Sequence, residues 1–470
     1  MHLTRSSWLS LLAFVALAIG MRWGSFFISV INHDESTYIV IANELLRGEV
    51  YLRDVIDTKP IGIFWLYAAL IKLTGGGIVA LRLAAAVAVG LGGWLLSRMA
   101  GKMSGTAAGG FVAGVTYVLA CSVYKFYGVS PNTEIWFNLC TIGAVALTVV
   151  AERKQWALAG LLLGTGFLIK PFVTAEALAI GLYLIWHYRR RVGRMLGSGL
   201  LLVTAFLLPV GAGVAYFTYH DLLAELWYYG VEVSRGYPVE AAWYERVLFI
   251  LEYFGRYFPL VLLGGVAQVR AKWEGRRGEW LGYLLLQFVL VAIVVSLTGK
   301  QFGHYQIQLH PVLALWVGTT VGVAFAKVAG GRAAVLGVGI VALALGFVHH
   351  FYYAAKPDEP RRIAAYLVPR LGPGETFFTI NGHQIAYYLL DRPVPVALVH
   401  PSLLFDPVHQ VNFRVDPERE AAAILTDGDV TYLIARRDDP ALESELVRLL
   451  LPYFGEAAPV GEELIAYRRR

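Results

Sequence analysis

Residues 8–38 read WLSLLAFVALAIGMRWGSFFISVINHDESTY. From Trp8 to Ile31 the only charge is Arg22. A helix needs roughly 20 apolar residues to cross the hydrocarbon core, so this run is long enough. It stops at Asn32-His33-Asp34-Glu35. The segment therefore reads as a membrane helix that delivers two carboxylates to one surface. It is too long for the apolar part of a signal peptide, and no small-residue cleavage site follows it, so it is taken as a retained first span.

Comparable runs recur as far as Phe351 and then stop. The chain of 470 residues is 57% hydrophobic and 16% charged, whereas a soluble chain is charged at roughly a quarter of its positions. Spans are expected near 8–31, 77–97, 105–123, 134–150, 156–170, 172–187, 196–218, 246–268, 280–298, 308–326 and 333–351. The fifth and sixth meet at Lys170-Pro171, as a tight hairpin or one broken element. The expected class is an α-helical integral membrane protein with about eleven transmembrane helices, residues 1–351, followed by a small soluble α/β domain, residues 352–470.

Basic residues fix the expected sidedness. Alternate loops carry Arg98 and Lys102; Arg153 and Lys154; Arg189, Arg190, Arg191 and Arg194; Arg270, Lys272, Arg276 and Arg277; Lys327 and Arg332. These loops and the N-terminus are expected in the cytoplasm of a multi-pass inner (plasma) membrane protein. The loops from Asp34, Tyr124, Tyr219 and Gly299, and the C-terminal domain, are then extracytoplasmic. The net charge of +6 follows from topology and does not point to nucleic acid. Cys121 and Cys140, the only cysteines, lie in or beside spans and form neither a disulfide framework nor a metal pattern.

The loop from Asn32 to Thr74 is the most informative. Ile39, Ala42, Leu45 and Leu46 recur at helical spacing and Gly48 ends that helix. The polar stretch Tyr51, Arg53, Asp54, Asp57, Thr58, Lys59 follows, then Pro60 at the start of a second apolar stretch, Ile61 to Leu73. Two short helices on the outer membrane face are expected within 34–76.

Asp34-Glu35 after the first span, Asp57-Thr58-Lys59-Pro60 and Trp65-Leu66 resemble the opening of GT-C type membrane glycosyltransferases. The resemblance is to bacterial dolichyl-phosphate-mannose-protein mannosyltransferase-like proteins and to the aminoarabinose transferase of lipid A. Leu81-Arg82-Leu83, Asn132-Thr133-Glu134, Gly164 to Pro171, and Gly303-His304-Tyr305 through Leu309 and Pro311 continue it across the membrane domain. One departure stands out. The aminoarabinose transferases usually carry a glutamate before the Lys-Pro pair and a second proline after it; here Thr58 and Ile61 occupy those places. This argues against the lipid A reaction and against a metal ligand at that position.

The resemblance implies a sugar donor on a polyprenyl phosphate and a lipid, glycan or protein acceptor in the cell envelope. Such chemistry needs a carboxylate to take the acceptor proton, cations to hold the departing phosphate, and inversion at the anomeric carbon. Asp34 is the candidate base, with Glu35 able to share the role; a helix cap or solvated acid is the plainer alternative. Asp57 and Glu134 are candidate sugar-positioning acids. Lys59, Arg82, Lys170, Lys300 and His304 are candidate phosphate partners. Arg82 and Lys170 carry the most weight, because a charge within a span costs a few kcal/mol and has a partner or a function. Arg22 is also intramembrane but matches the family less well. No cofactor motif is evident, and a divalent metal stays open.

Trp227, Tyr228, Tyr229, Tyr237, Trp243 and Tyr244, between His220 and Tyr244, suit sugar stacking but suit an interfacial belt better. In the C-terminal domain, helices are expected at Ile363–Leu371, Ala386–Leu390, Glu418–Leu425 and Leu442–Leu451. Strands are expected at Thr376–Ile380, Val394–Leu398, Thr431–Ala435 and Glu463–Tyr467. Acceptor recruitment, a lid and inert scaffold all fit. The rival functions are a glycan ligase or polymerase of related fold and a lipid or solute transporter. Transporters tend to place polar sites at mid-membrane between repeats, and here the polar residues gather at one face.

Overall fold

The computed structural model describes residues 5–124, 127–236, 241–262, 265, 276–325, 331–426 and 429–470. Among the described residues, thirteen long helices are α1 (Arg5–Arg22), α2 (His33–Arg47), α3 (Ile61–Thr74), α4 (Ile78–Ser104), α5 (Ala107–Ala120), α6 (Thr133–Val145), α7 (Trp156–Ile169), α8 (Thr174–His187), α9 (Val192–Tyr219), α10 (Trp243–Arg256), α11 (Arg276–Leu297), α12 (His310–Phe325) and α13 (Gly331–Ala354). Each of the eleven expected spans therefore contains a helix, and among the described residues six helical stretches are individually long and apolar enough to cross a membrane. In the most apolar stretches of α9 and α13 only 17% of residues are buried; faces that bare need lipid around them. Arg270, Lys272, Lys327 and Tyr237 lie outside the described residues.

The chain divides into two compact units. The first comprises Met1–Phe26, Val79–Gly213 and Val239–Tyr353. In it α12 packs along α5, α6 against α7, and α11 against α8. Gly160 and Gly164 on α7 face α9 so closely that a Cβ on either would stand 2.1 Å from the Leu202 carbonyl oxygen and 2.2 Å from that of Phe206. Small residues four apart allow this approach of two membrane helices.

The first expected span is corrected by this unit: α1 ends at Arg22, well before Ile31. The buried Arg22 guanidinium donates to the carbonyl oxygens of Cys121, Gly128 (2.6 Å) and Val129 (2.7 Å). A single 3-10 turn, Trp23–Ser25, follows. Arg22 is thus a structural anchor for the loop after α5. The junction at Lys170-Pro171 is a tight connection: Lys170 is extended, Pro171–Val173 forms a 3-10 turn, and α8 starts at Thr174.

The second unit is built from three separated pieces, Phe27–Ile78, Val214–Pro238 and Ala354–Arg470. The two expected external helices are α2 and α3. Asn32 caps α2 and Gly48 ends it in the left-handed region at φ 104°; Pro60 precedes α3. Tyr38 packs on Phe64 and Tyr67, and Tyr51 on Phe64, with ring centroids 4.7–6.0 Å apart. Each such pair contributes about 0.5–1.5 kcal/mol beyond its buried area.

The C-terminal piece carries a four-stranded sheet, β1 (Thr376–Thr379), β2 (Val430–Arg436), β3 (Phe454–Pro459) and β4 (Leu464–Arg469), in the order β1-β2-β4-β3. β1 and β2 are parallel, the other pairs antiparallel. Three of its strands match expectation. The strand expected at Val394–Leu398 does not form, since Pro393 and Pro395 offer no N–H to a ladder. One backbone bond replaces it, Ile56 N–H to the Ala397 carbonyl at 2.7 Å. β3 was not expected from its sequence Phe-Gly-Glu-Ala-Ala-Pro and forms at the sheet edge, where its proline is tolerated. The helix expected at Leu442–Leu451 is broken by Ser444, whose side chain caps a new helix, Glu445–Leu450.

The aromatic stretch after α9 belongs in part to this unit. Tyr228 donates from its hydroxyl to the Asn412 carbonyl (2.7 Å), Arg414 lies over the Tyr228 ring (4.4 Å), and Tyr229 packs on Phe413. These two tyrosines therefore hold the C-terminal piece, a use that neither the belt nor the stacking expectation covered.

Candidate active site

The sequence-predicted residues fall into two groups, one in each unit. In the second unit, Asp34 occupies the first turn of α2, where carboxylates suit the helix dipole. Its own amide donates to Asn32 Oδ1 at 2.6 Å. Lys59 Nζ stands 2.7 Å from Asp34 Oδ1 and 3.4 Å from Asp57 Oδ1. Asp57 in turn accepts the Lys59 amide (3.0 Å) and the Thr58 hydroxyl (3.3 Å). The Tyr51 hydroxyl lies against the carbonyl oxygens of Asp57 (2.9 Å) and Lys59, which fixes this turn. The Asp34 and Lys59 side chains keep 17% and 25% exposure, while Asp57 keeps 1%. Glu35, the neighbouring acid, is also 1% exposed. The Asp34 carboxylate is therefore open to solvent and Glu35 is not.

Sequence reasoning missed two residues of this cluster. His400 Nε2 lies 4.0 Å from Asp34 Oδ1, and the His33 and His400 rings meet edge to face at 6.4 Å. Buried Gln384 donates from Nε2 to the His33 carbonyl and to the Thr37 hydroxyl, both at 3.2 Å. Burial, with the Lys59 ammonium beside it, lowers the His400 pKa to about 4, so the ring is neutral at pH 7. His400 before Pro401 signals a helix start, and nothing local to it points to Asp34. Elsewhere in α2, burial raises Glu44 to about 7 despite Arg47 at 3.6 Å.

In the first unit, Glu134 on α6 is fully buried and pairs with Lys170, which is 12% exposed. The Thr133 hydroxyl donates to the other Glu134 oxygen at 3.1 Å. The Lys170 ammonium sits over the rings of Tyr305 (3.8 Å) and Phe172 (4.4 Å). Tyr305 belongs to the 3-10 segment Gly303–Leu309, held by Asn138 to the Ile307 carbonyl (2.9 Å), Arg256 to Gln306 (2.8 Å) and Gln308 to Glu176 (2.8 Å). His304 of the same segment stacks on Phe302, which flanks it. Lys300 precedes it, its amide donating to the Thr298 hydroxyl at 3.3 Å. Arg82 on α4 is buried and donates to the Ser25 carbonyl at 2.8 Å. Gln308, Gln306 and Asn138 carried no signal beyond being polar among apolar residues.

The Dolichyl-phosphate-mannose-protein mannosyltransferase family model matches residues 58–214, a third of the chain. An undecaprenyl phosphate-α-4-amino-4-deoxy-L-arabinose arabinosyl transferase of Pseudomonas fluorescens is 24% identical over 370 residues, covering 72% of this chain and 65% of that protein. The corresponding protein of Pectobacterium carotovorum is 25% identical over 288 residues, 57% of this chain and 50% of the relative. The chain thus spans half to two thirds of the curated relatives it matches. The crystal structure of ArnT from Cupriavidus metallidurans superposes with a TM-score of 0.68 over 98% of both chains, at 14% identity.

The chain has the ArnT fold.

This bears out the GT-C resemblance read from Asp34-Glu35 and Asp57 to Pro60, and with it a multi-pass membrane protein. Thr58 stands where the resemblance puts a glutamate, and among the described residues no three His, Cys, Asp or Glu side chains are grouped to hold an ion.

Proposed function

We propose that the protein is a glycosyltransferase that moves a sugar, hexose or pentose, from a polyprenyl-phosphate-linked donor to a lipid, glycan or protein acceptor at the outer face of the membrane. The carrying observation is the Asp34 carboxylate, reachable by solvent, held by Lys59 at 2.7 Å and carried on a turn whose backbone Asn32 caps. In this reading the acceptor oxygen attacks the anomeric carbon and its proton passes to Asp34. The bond from that carbon to the phosphate oxygen breaks, and polyprenyl phosphate leaves with the electron pair. No acid is needed for a leaving group that is already an anion. Attack from the face opposite the phosphate inverts the centre.

Lys59 orients the base, and Asp57 holds Lys59. Glu35 supports the turn from the interior. Arg82, Lys170, Lys300 and His304 are the proposed donor-binding cations, with Glu134 setting Lys170. Residues 1–351 would form the membrane domain and 352–470 an extracytoplasmic domain, with the N-terminus in the cytoplasm. Purified protein incubated with labelled polyprenyl-phosphate sugars and cell-envelope lipids, glycans and proteins should transfer label. Transfer from none of these donors would remove the reading in favour of transport.

A further inference from the structure

His400 is the N-cap of a five-residue helix, Pro401–Phe405. Its Nδ1 accepts the Ser402 amide at 3.3 Å and lies 2.8 Å from the Ser402 hydroxyl. An imidazole nitrogen that accepts from an amide carries no proton, so in the neutral ring the proton sits on Nε2. Nε2 is the atom that stands 4.0 Å from Asp34 Oδ1. The cap thus fixes both the tautomer and the direction of the ring. Lys59, Asp34, Asp57 and His33 are the charged or titratable groups around it, and burial with the Lys59 ammonium keeps it neutral.

Asp34 shares its lysine with Asp57. Lys59 is one ammonium holding two carboxylates, and any movement of it toward an anionic donor loosens Asp34. A neutral N–H donor aimed at the same oxygen is then the group that keeps the carboxylate in register. At 4.0 Å the two atoms stand beyond direct hydrogen-bond range, and the interaction across that gap is electrostatic.

We propose that His400, contributed by the C-terminal α/β segment, is a positioning residue for the Asp34 carboxylate, so that this segment completes the proton-accepting site of the enzyme. The inference rests on the glycosyltransferase reading for its kinetic consequence and on geometry alone for the pairing. Gln384 acts alongside it by gripping the His33 carbonyl and Thr37 hydroxyl at the start of the same helix.

The test must separate a helix cap from a partner of Asp34. His400→Asn does so: asparagine is among the best N-caps, and its shorter side chain does not reach Asp34. In full-length protein in nanodiscs, His400→Asn should lower kcat about tenfold, leave the donor KM within about twofold, and leave the melting temperature unchanged. In an Asp34→Asn background the same change should alter the rate by less than about twofold, because the two act as one unit. A second readout needs no turnover. With 15N-labelled histidine, the His400 resonances, assigned by their loss in His400→Asn, should show the Nε2–H tautomer at pH 7, and the Nε2 signal should move in Asp34→Asn. Full kcat in His400→Asn, an equal drop in the Asp34→Asn background, or an Nε2 signal indifferent to Asp34→Asn would each overturn the proposal. If wild-type protein transfers no sugar, the functional reading fails, and the histidine spectra still decide the pairing.

Discussion

Lys170 offers a sharp separation between holding the fold and holding the donor. Glu134 is fully buried and Lys170 is 12% exposed. Lys170→Met therefore leaves a carboxylate inside the protein with the Thr133 hydroxyl, at 3.1 Å, as its remaining partner among the described residues. Breaking a buried pair from one side costs about 3–5 kcal/mol. The ammonium also lies over Tyr305 and Phe172, contacts worth about 0.5–2 kcal/mol. Lys170→Met alone should thus lose about 3–5 kcal/mol. Adding Glu134→Gln removes the orphaned charge and should return the loss to about 1–2 kcal/mol. Unfolding in detergent, followed by tryptophan fluorescence, measures the stability series, and calorimetric titration with a polyprenyl-phosphate sugar measures the donor. If Lys170 binds phosphate, the stable double variant still loses donor affinity by about tenfold or more, since about 1.4 kcal/mol is a factor of ten. Wild-type donor affinity in the double variant would make Lys170 purely structural. A single-variant loss under about 1 kcal/mol would refute the energetic argument itself.

Other outcomes follow from the same geometry. Asp34→Asn should lower turnover by about 100-fold or more with donor binding retained, and Glu35→Gln should lower stability more than rate per folded molecule; the reverse ranking would exchange their roles. Gly164→Ala should destabilise the membrane unit by about 1–3 kcal/mol, because the Phe206 carbonyl oxygen cannot yield as a side chain would; an unchanged melting curve would contradict the close approach. Glu44 titrates near 7 in the fold against 4.5 when exposed. The folded state then holds the extra proton, so stability should fall as pH rises from about 4.5 to 7 and level off above. Glu44→Gln should flatten that slope in pH-dependent melting. Cysteines placed at Arg153 and Arg190 should resist an impermeant thiol reagent outside spheroplasts, and cysteines at Glu232 and Glu418 should react, once Cys121 and Cys140 are replaced by Ala. The opposite labelling would invert the orientation.

Much of this was legible because the membrane imposes strict rules. Every backbone polar group must be satisfied within a helix, so apolar length alone located α4 to α13. Gly48 and Pro60 announced the ends of α2 and α3 through their backbone preferences. The end of α1 was hidden, since nothing in Arg22-Trp23-Gly24 declares that the guanidinium turns back onto carbonyls a hundred residues away. The Asp34–Lys59 pairing was half visible: the family pattern named both residues, and their contact needed the fold. His400 and Gln384 were invisible, because their partners lie about 350 positions earlier and their own surroundings read as an ordinary loop. β3 escaped because strand formation at a sheet edge owes more to its neighbour than to its own residues.

The assembly of one unit from three distant pieces sets an order of events during synthesis. Residues 27–78 leave the ribosome long before residues 354–470, which share a compact body with them. At about 5–20 residues per second, the interval between them is roughly a quarter of a minute to a minute. Throughout that time α2 and α3 are made but lack Gln384, the Ala397 carbonyl and His400. A nascent chain therefore carries Asp34 for most of its synthesis in an unfinished setting. Chains that stop before residue 354 lack every contact that this last piece makes with α2 and α3. That unit is completed only by the arrival of the chain's own last quarter, which makes its long-range closure a late event in folding.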